Sequence, residues 1–248
     1  MTRITAHRGA RNLWPENSLT GFRNVLALDV DAVEFDVHLT AAGELVAIHD
    51  ATLDRTTDAS GKVRDLTPER RATVRLADCG EPVPTLTQVL EVLAPSGLEL
   101  HVEIKSDAED RPYPGIVDKV VAELDRFDMR ARCHLTSFDV SVLEECRRIA
   151  PDIARLVSVN AAWAGRQGGL AAFLDHVDGL VGIVAIHHEL MAEEWPLITS
   201  KIPADRLCVW TLNDAPMIRP WLERGVGHLT TDRPDLALAL RADLLPTH

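Results

Sequence analysis

Three short stretches of the chain set proton-transfer groups and carboxylates at spacings that could do chemistry. The first, TAHRGARNLWPENSL over residues 5–19, puts His7 beside Arg8 at the end of a short apolar run, then Gly9, and later Pro15, Glu16 and Asn17. An imidazole next to a guanidinium can hold an anion and move a proton. The second, AVEFDVHLTAAGELVAIHD, carries Glu34 and Asp36 two positions apart and ends on His49 and Asp50. The third, LHVEIKS, offers His101, Glu103 and Lys105 at alternate positions.

If these stretches are β-strands, their period of two decides which side chains act together. Glu34 and Asp36 then share one face while Val33, Phe35 and Val37 take the other. His101, Glu103 and Lys105 likewise oppose Val102 and Ile104. Three carboxylates, Glu34, Asp36 and Glu103, at adjacent strand ends make a hard oxygen cage suited to Mg2+ or Ca2+. Without a cation their mutual repulsion is costly. Ala41, Ala42 and Gly43 signal a hairpin. With its turn centred on Ala42 and Gly43, residue 40 pairs with residue 45 and Asp36 stands opposite His49, which returns that imidazole to the carboxylates. Taken singly, each group has an ordinary structural reading: a hydrogen-bonded histidine, a solvated strand face, a Lys105–Glu103 ion pair. Together, at neighbouring strand ends, they favour function.

These groups need a scaffold that gathers strand ends. Short runs rich in Val, Ile and Leu near residues 2–7, 31–38, 98–105, 132–136, 153–158, 181–187, 206–211 and 227–231 alternate with amphipathic stretches such as 18–28, 86–93, 114–127, 139–149 and 233–241. Eight such repeats in about 250 residues predict an α/β fold, a (β/α)8 TIM barrel, whose functional groups lie where strands end. The interval between the second and third barrel strands is about twice that of an ordinary βα unit. Residues 50–84 therefore read as a small insertion in a single barrel domain spanning 1–248.

The 248 residues are 46% hydrophobic and 26% charged, enough for a large core, and the net charge of −12 disfavours nucleic acid and anionic membrane surfaces as partners. Cys79, Cys133, Cys146 and Cys208 form no C-x-x-C pair, so neither a zinc motif nor a disulfide framework is indicated. No apolar run approaches the roughly 20 residues of a membrane span, and no basic segment with an apolar signal core opens the chain. A cytoplasmic location is expected.

The stretches AHRGARNLWPENSL, VEFDVHLTAAGELVAIHDATLDRTTDASGKVRDLT, VPTL, HVEIK and VWTLN, in this order, resemble the glycerophosphodiester phosphodiesterase family from about Ile4 to Pro234. The resemblance implies a barrel, a divalent cation, and hydrolysis of a small-molecule glycerophosphodiester to glycerol 3-phosphate and an alcohol. It matches His7 and His49 to a catalytic acid/base pair and Glu34, Asp36 and Glu103 to metal ligands. Arg8 and Lys105 match phosphate-contacting positions, and Trp210 with Asn213 matches a motif near the substrate pocket. It also suggests attack by the substrate's glycerol 2-hydroxyl through a cyclic phosphate, without saying which histidine acts first. In PENS, Glu16 and Asn17 either organise the loop under the site, or Asn17 or Ser18 caps the following helix. His187 and His188, after the sixth strand, could reach the pocket but read first as structural. The nearest alternative is a lysophospholipase D or a sphingomyelinase D-like phosphodiesterase on the same barrel, which would need an apolar funnel for an acyl chain.

Overall fold

The computed structural model describes residues 1–244. In chain order the elements are β1 Arg3–His7, α1 Leu19–Val25, β2 Ala32–Leu39, β3 Leu45–Ala47, α2 Pro68–Arg71, α3 Leu86–Leu93, β4 Glu99–Ile104, α4 Ile116–Arg126, β5 Cys133–Ser137 and α5 Val140–Ile149. Then follow β6 Ala154–Val159, α6 Ala161–Arg166, α7 Leu170–Val177, β7 Ile183–His187, α8 His188–Glu193, α9 Trp195–Lys201, β8 Leu207–Trp210, α10 Ala215–Glu223, β9 His228–Thr231 and α11 Pro234–Asp243. Eight strands pair in parallel in the order β1-β2-β4-β5-β6-β7-β8-β9, and β9 returns to β1, which closes the barrel.

The predicted alternation is what builds the wall. Val33, Phe35 and Val37 face outward into a fully buried layer with Phe22 of α1, and the Phe22 and Phe35 rings meet edge-on at 5.7 Å. Such a pair contributes roughly 0.5–1.5 kcal/mol beyond its burial. Ser18 caps α1 by accepting the Gly21 amide at 2.8 Å. A Cβ at Gly9 would lie 3.1 Å from the Phe22 ring, so the HRG turn leans on the same layer.

The one β3 strand outside the barrel pairs antiparallel with β2, and its register differs from the expected one. Val37 faces Ala47 and Leu39 faces Leu45, which carries Thr40 to Glu44 and sets Ile48, not His49, opposite Asp36. The cause is a three-residue loop, 41–43, in which Gly43 adopts φ +89, whereas the expected register needs a two-residue loop. The ladder stops at Ala47, so His49 reaches the barrel mouth from the bend that follows. Beyond it, Ile48, Leu53, Val63, Leu66, Val74 and Leu76 close a small apolar cluster of their own within residues 46–83.

Candidate active site

The C-terminal ends of β2 and β4 bring Glu34, Asp36 and Glu103 together, with one carboxylate oxygen of each within 4.8 Å of the others. Glu34 Oε1 and Asp36 Oδ1 are buried and accept no hydrogen bond. Buried acceptors are nearly always satisfied, so two acceptors without a hydrogen bond in one carboxylate cluster fit a bound dication. Burial, then Asp36 and Glu103, push the Glu34 carboxyl well above the ordinary carboxylate range. Burial pushes Asp36 the same way, but Lys105 and Arg8 outweigh it and hold that carboxylate ionised.

Two cations brace this cluster. Lys105 Nζ lies 2.7 Å from Glu103 Oε1 and 3.4 Å from Asp36 Oδ1. Arg8 Nε lies 3.3 Å from Asp36 Oδ2, and its Nη1 donates to Glu16 Oε1 at 3.3 Å. The backbone of Arg8, Gly9 and Ala10 runs through three consecutive left-handed conformations, with φ 51, 75 and 69. That curl aims the Arg8 amide at Glu34 Oε2, 3.1 Å away. The two readings of PENS resolve into separate duties. Ser18 caps the helix, while Asn17 donates to Asp36 Oδ2 at 2.9 Å and accepts from the Asp36 amide at 3.3 Å.

Each candidate imidazole carries a carboxylate on Nδ1. His7 Nδ1 meets Asp232 Oδ1 at 2.6 Å, and His7 Nε2 stands 3.8 Å from Glu34 Oε2. His49 Nδ1 meets Asp50 Oδ1, also at 2.6 Å. Burial lowers the His7 pKa, and Asp232 partly offsets this. Asp232 is itself gripped: Asn213 Nδ2 donates to Oδ2 at 2.7 Å, Asn213 Oδ1 accepts the Asp232 amide at 2.9 Å, and Arg11 Nε lies 2.8 Å away. Burial would raise this acid, but His7 and Arg11 hold it at about 2. On the other side Arg55 joins Asp50 to Glu16, donating to Asp50 at 2.7 Å and to both Glu16 oxygens at 2.7 and 3.0 Å.

Two side chains that sequence reasoning passed over complete the frame. Asp232 follows the last strand, 225 positions from His7. His38 lies on the same period-two face as Glu34 and Asp36. Its Nε2 donates to the His49 carbonyl at 3.1 Å, which leaves Nδ1 to accept the Tyr113 hydroxyl at 2.9 Å. Burial pushes His38 down to about 4, so it is neutral and fixed in this tautomer.

The two imidazoles open on an inner cavity of about 90 Å3, lined also by Arg8, Glu34, Glu103 and Trp210. His49 and Glu103 separate it from an outer cavity of about 360 Å3 bordered by Lys105, Asp50, Asp139, Phe138 and Trp163. Trp210 meets Phe138 edge-on at 5.6 Å and His187 at 5.2 Å. His187 and His188 stack against each other at 4.4 Å behind that indole. Asn213 points to Asp232.

The chain as a whole has counterparts among known proteins. The model of the glycerophosphoryl diester phosphodiesterase family matches residues 7–236. A glycerophosphodiester phosphodiesterase of Bacillus altitudinis is 29% identical over 256 residues, covering 98% of this chain and 100% of that one. One from Caldanaerobacter subterraneus subsp. tengcongensis is 35% identical over 158 residues, a match spanning 61% of this chain and 64% of the relative, just under two thirds of its length. A solved structure from Agrobacterium tumefaciens, provisionally assigned the same activity, has a TM-score of 0.87 at 30% identity and covers 98% of both chains.

Proposed function

Because the chain belongs to the glycerophosphoryl diester phosphodiesterase family, we propose that it hydrolyses glycerophosphodiesters to glycerol 3-phosphate and an alcohol, using His7 and His49 as its proton-transfer pair. The observation that carries this reading is the pairing of two imidazole–carboxylate units with the orphaned acceptors of Glu34 and Asp36 at one barrel mouth.

Glu34, Asp36 and Glu103 would hold one Mg2+ or Ca2+, which when bound neutralises phosphate charge and acidifies a nearby hydroxyl. Arg8 and Lys105 meet the remaining phosphate charge. His7, kept neutral by burial and adjacent to Glu34, accepts at Nε2 the proton of the attacking glycerol 2-hydroxyl. Asp232 fixes the proton of His7 on Nδ1 and stabilises the imidazolium that results, as the carboxylate of a Ser-His-Asp triad does. His49, at the junction of the two cavities, protonates the leaving alcohol oxygen as the P–O bond breaks. The resulting cyclic phosphate is then opened by water with the two imidazoles in exchanged roles. Asn213 acts on Asp232, and Trp210 walls the inner cavity.

The charged side chains Asp50, Lys105, Asp107, Asp110 and Asp139 on the border of the outer cavity, beside Phe138 and Trp163, support a polar head group. Among the described residues, the large hydrophobic side chains counted as exposed are Met1, Leu26 and Leu244, none of them at this mouth. No helix among those residues is long and apolar enough to cross a membrane. We take residues 50–84 as an inserted cap that delivers Arg55 to the acid network. The test is a panel of glycerophosphodiesters and lysophospholipids assayed with Mg2+, Ca2+ and Mn2+ after chelator treatment. Release of glycerol 3-phosphate from the glycerophosphodiesters alone is expected. Turnover confined to lysophospholipids would sink the proposal.

A further inference from the structure

A second group of ligating side chains sits at the opposite end of the barrel. Glu99 and His101 alternate on β4, His134 of β5 is in register with His101, and His228 opens β9 on the far side of the lumen. The three imidazole centroids lie 5.1, 5.7 and 6.5 Å apart. One oxygen of Glu99 and one ring nitrogen each of His101 and His228 fall within 4.8 Å of one another.

Hydrogen bonding leaves this cluster incomplete. His101 Nε2 is 2.9 Å from Glu99 Oε1, while Glu99 Oε2 is paired with Arg3 at 3.0 Å. His134 Nδ1 lies 3.2 Å from the same Oε1 but is not aligned for a hydrogen bond, and His228 Nδ1 is buried with no partner at all. His228 is 6% exposed, so water does not satisfy that nitrogen. An idle buried ring nitrogen beside a carboxylate–imidazole pair is what a purely structural network would avoid. The donor atoms of Glu99, His101 and His228 are thus mutually close, and His134 stands beside them on the Glu99 oxygen.

We propose that Glu99, His101, His134 and His228 form a second metal site, for a zinc-class transition-metal dication, at the N-terminal end of the barrel. Its imidazole-rich donor set is the chemical opposite of the all-oxygen cluster at the other end, so the two ends select different ions. The approach is from the N-terminal face, where the side chains of Glu99 and His134 are each 14% exposed. Arg3, 43% exposed, swings into solvent as the ion takes its place beside Glu99.

The probe is Co2+, whose visible absorption reports imidazole coordination in a low-symmetry four-coordinate site. Untagged, chelator-treated full-length protein is titrated with Co2+ in excess Mg2+, which occupies hard oxygen sites, and then back-titrated with Zn2+. One equivalent of Co2+ with d–d bands, displaced by Zn2+ and weakened at least about tenfold in both His228→Gln and His134→Gln, is expected, since even outer-sphere partners of a metal are worth that much. Circular dichroism checks that each variant is folded, and the more exposed His134 keeps the test open if His228→Gln is not. Absence of the bands, or unchanged Co2+ affinity in a folded variant, overturns the proposal.

Discussion

His7 Nδ1 and Asp232 Oδ1 stand 2.6 Å apart across the seam where β1 meets β9. The carboxylate is fully buried and bound on its other oxygen by Asn213 and Arg11, so it has no freedom to follow a different partner. It therefore sets both the tautomer of His7 and the direction of Nε2.

Replacing Asp232 with Asn keeps the shape and removes the charge. The rate of the chemical step should fall by about 10² to 10⁴, with KM changed far less. Asp232 raises the His7 pKa, so its loss lowers that pKa further, and the acid limb of the kcat/KM profile should move to lower pH as the plateau drops. A limb that stays in place would remove His7 from the role of base.

His7→Ala and His49→Ala should each cost about 10² to 10⁴ in single-turnover rate on cation-loaded, folded protein. The double variant should be little worse than the more damaged single one, because the two groups serve one proton-transfer sequence. Multiplying losses would mean independent roles.

Cation removal should abolish turnover and leave three carboxylates in repulsion. Glu34 is an acid whose folded pKa is raised, so its ionisation destabilises the cation-free fold as pH climbs from its unfolded value near 4.5 through the raised one. Asp232 and Asp50, both held at about 2, act in the opposite sense but only at lower pH, below the ordinary carboxylate value of 3.8. Glu34→Gln should thus stabilise the chelated protein at neutral pH by about 1 kcal/mol, or ~2–4 °C in Tm, while abolishing tight cation binding. Calorimetry with and without Mg2+ reads both effects, and destabilisation of the chelated variant would contradict the assignment.

Asn17→Asp preserves shape and tolerates the left-handed backbone at φ 52, but turns the donor facing Asp36 Oδ2 into a second carboxylate. A loss of about 1–3 kcal/mol in cation-free stability is expected, the cost of a buried polar group deprived of its partner. Denaturant titration measures it.

The elements were legible where local periodicity determines them. The alternation in AVEFDVHL and LHVEIK assigned the inward faces of β2 and β4 because one face of each is packed against helices. The hairpin register slipped by one residue because Gly43 permits a left-handed turn that the sequence of small residues does not single out. His38 was legible in principle, two positions beyond Asp36 on the same face, but its duty depends on Tyr113, 75 positions away. Asp232 stands in the stretch TDRP, but nothing local to it gives its duty. Its meaning comes from barrel closure, which only the pairing of the first and last strands defines.

That closure has a consequence for the chain as it leaves the ribosome. Until β9 docks, β1 and β8 are bare edges of an open sheet, the arrangement most prone to wrong pairing. In the same interval His7 has no partner on Nδ1. Asp232 is synthesised 225 residues after His7. With His7 in its proposed role, catalytic competence would be acquired in one late step, together with the removal of the sheet's last sticky margins, and activity would double as a readout of finished assembly.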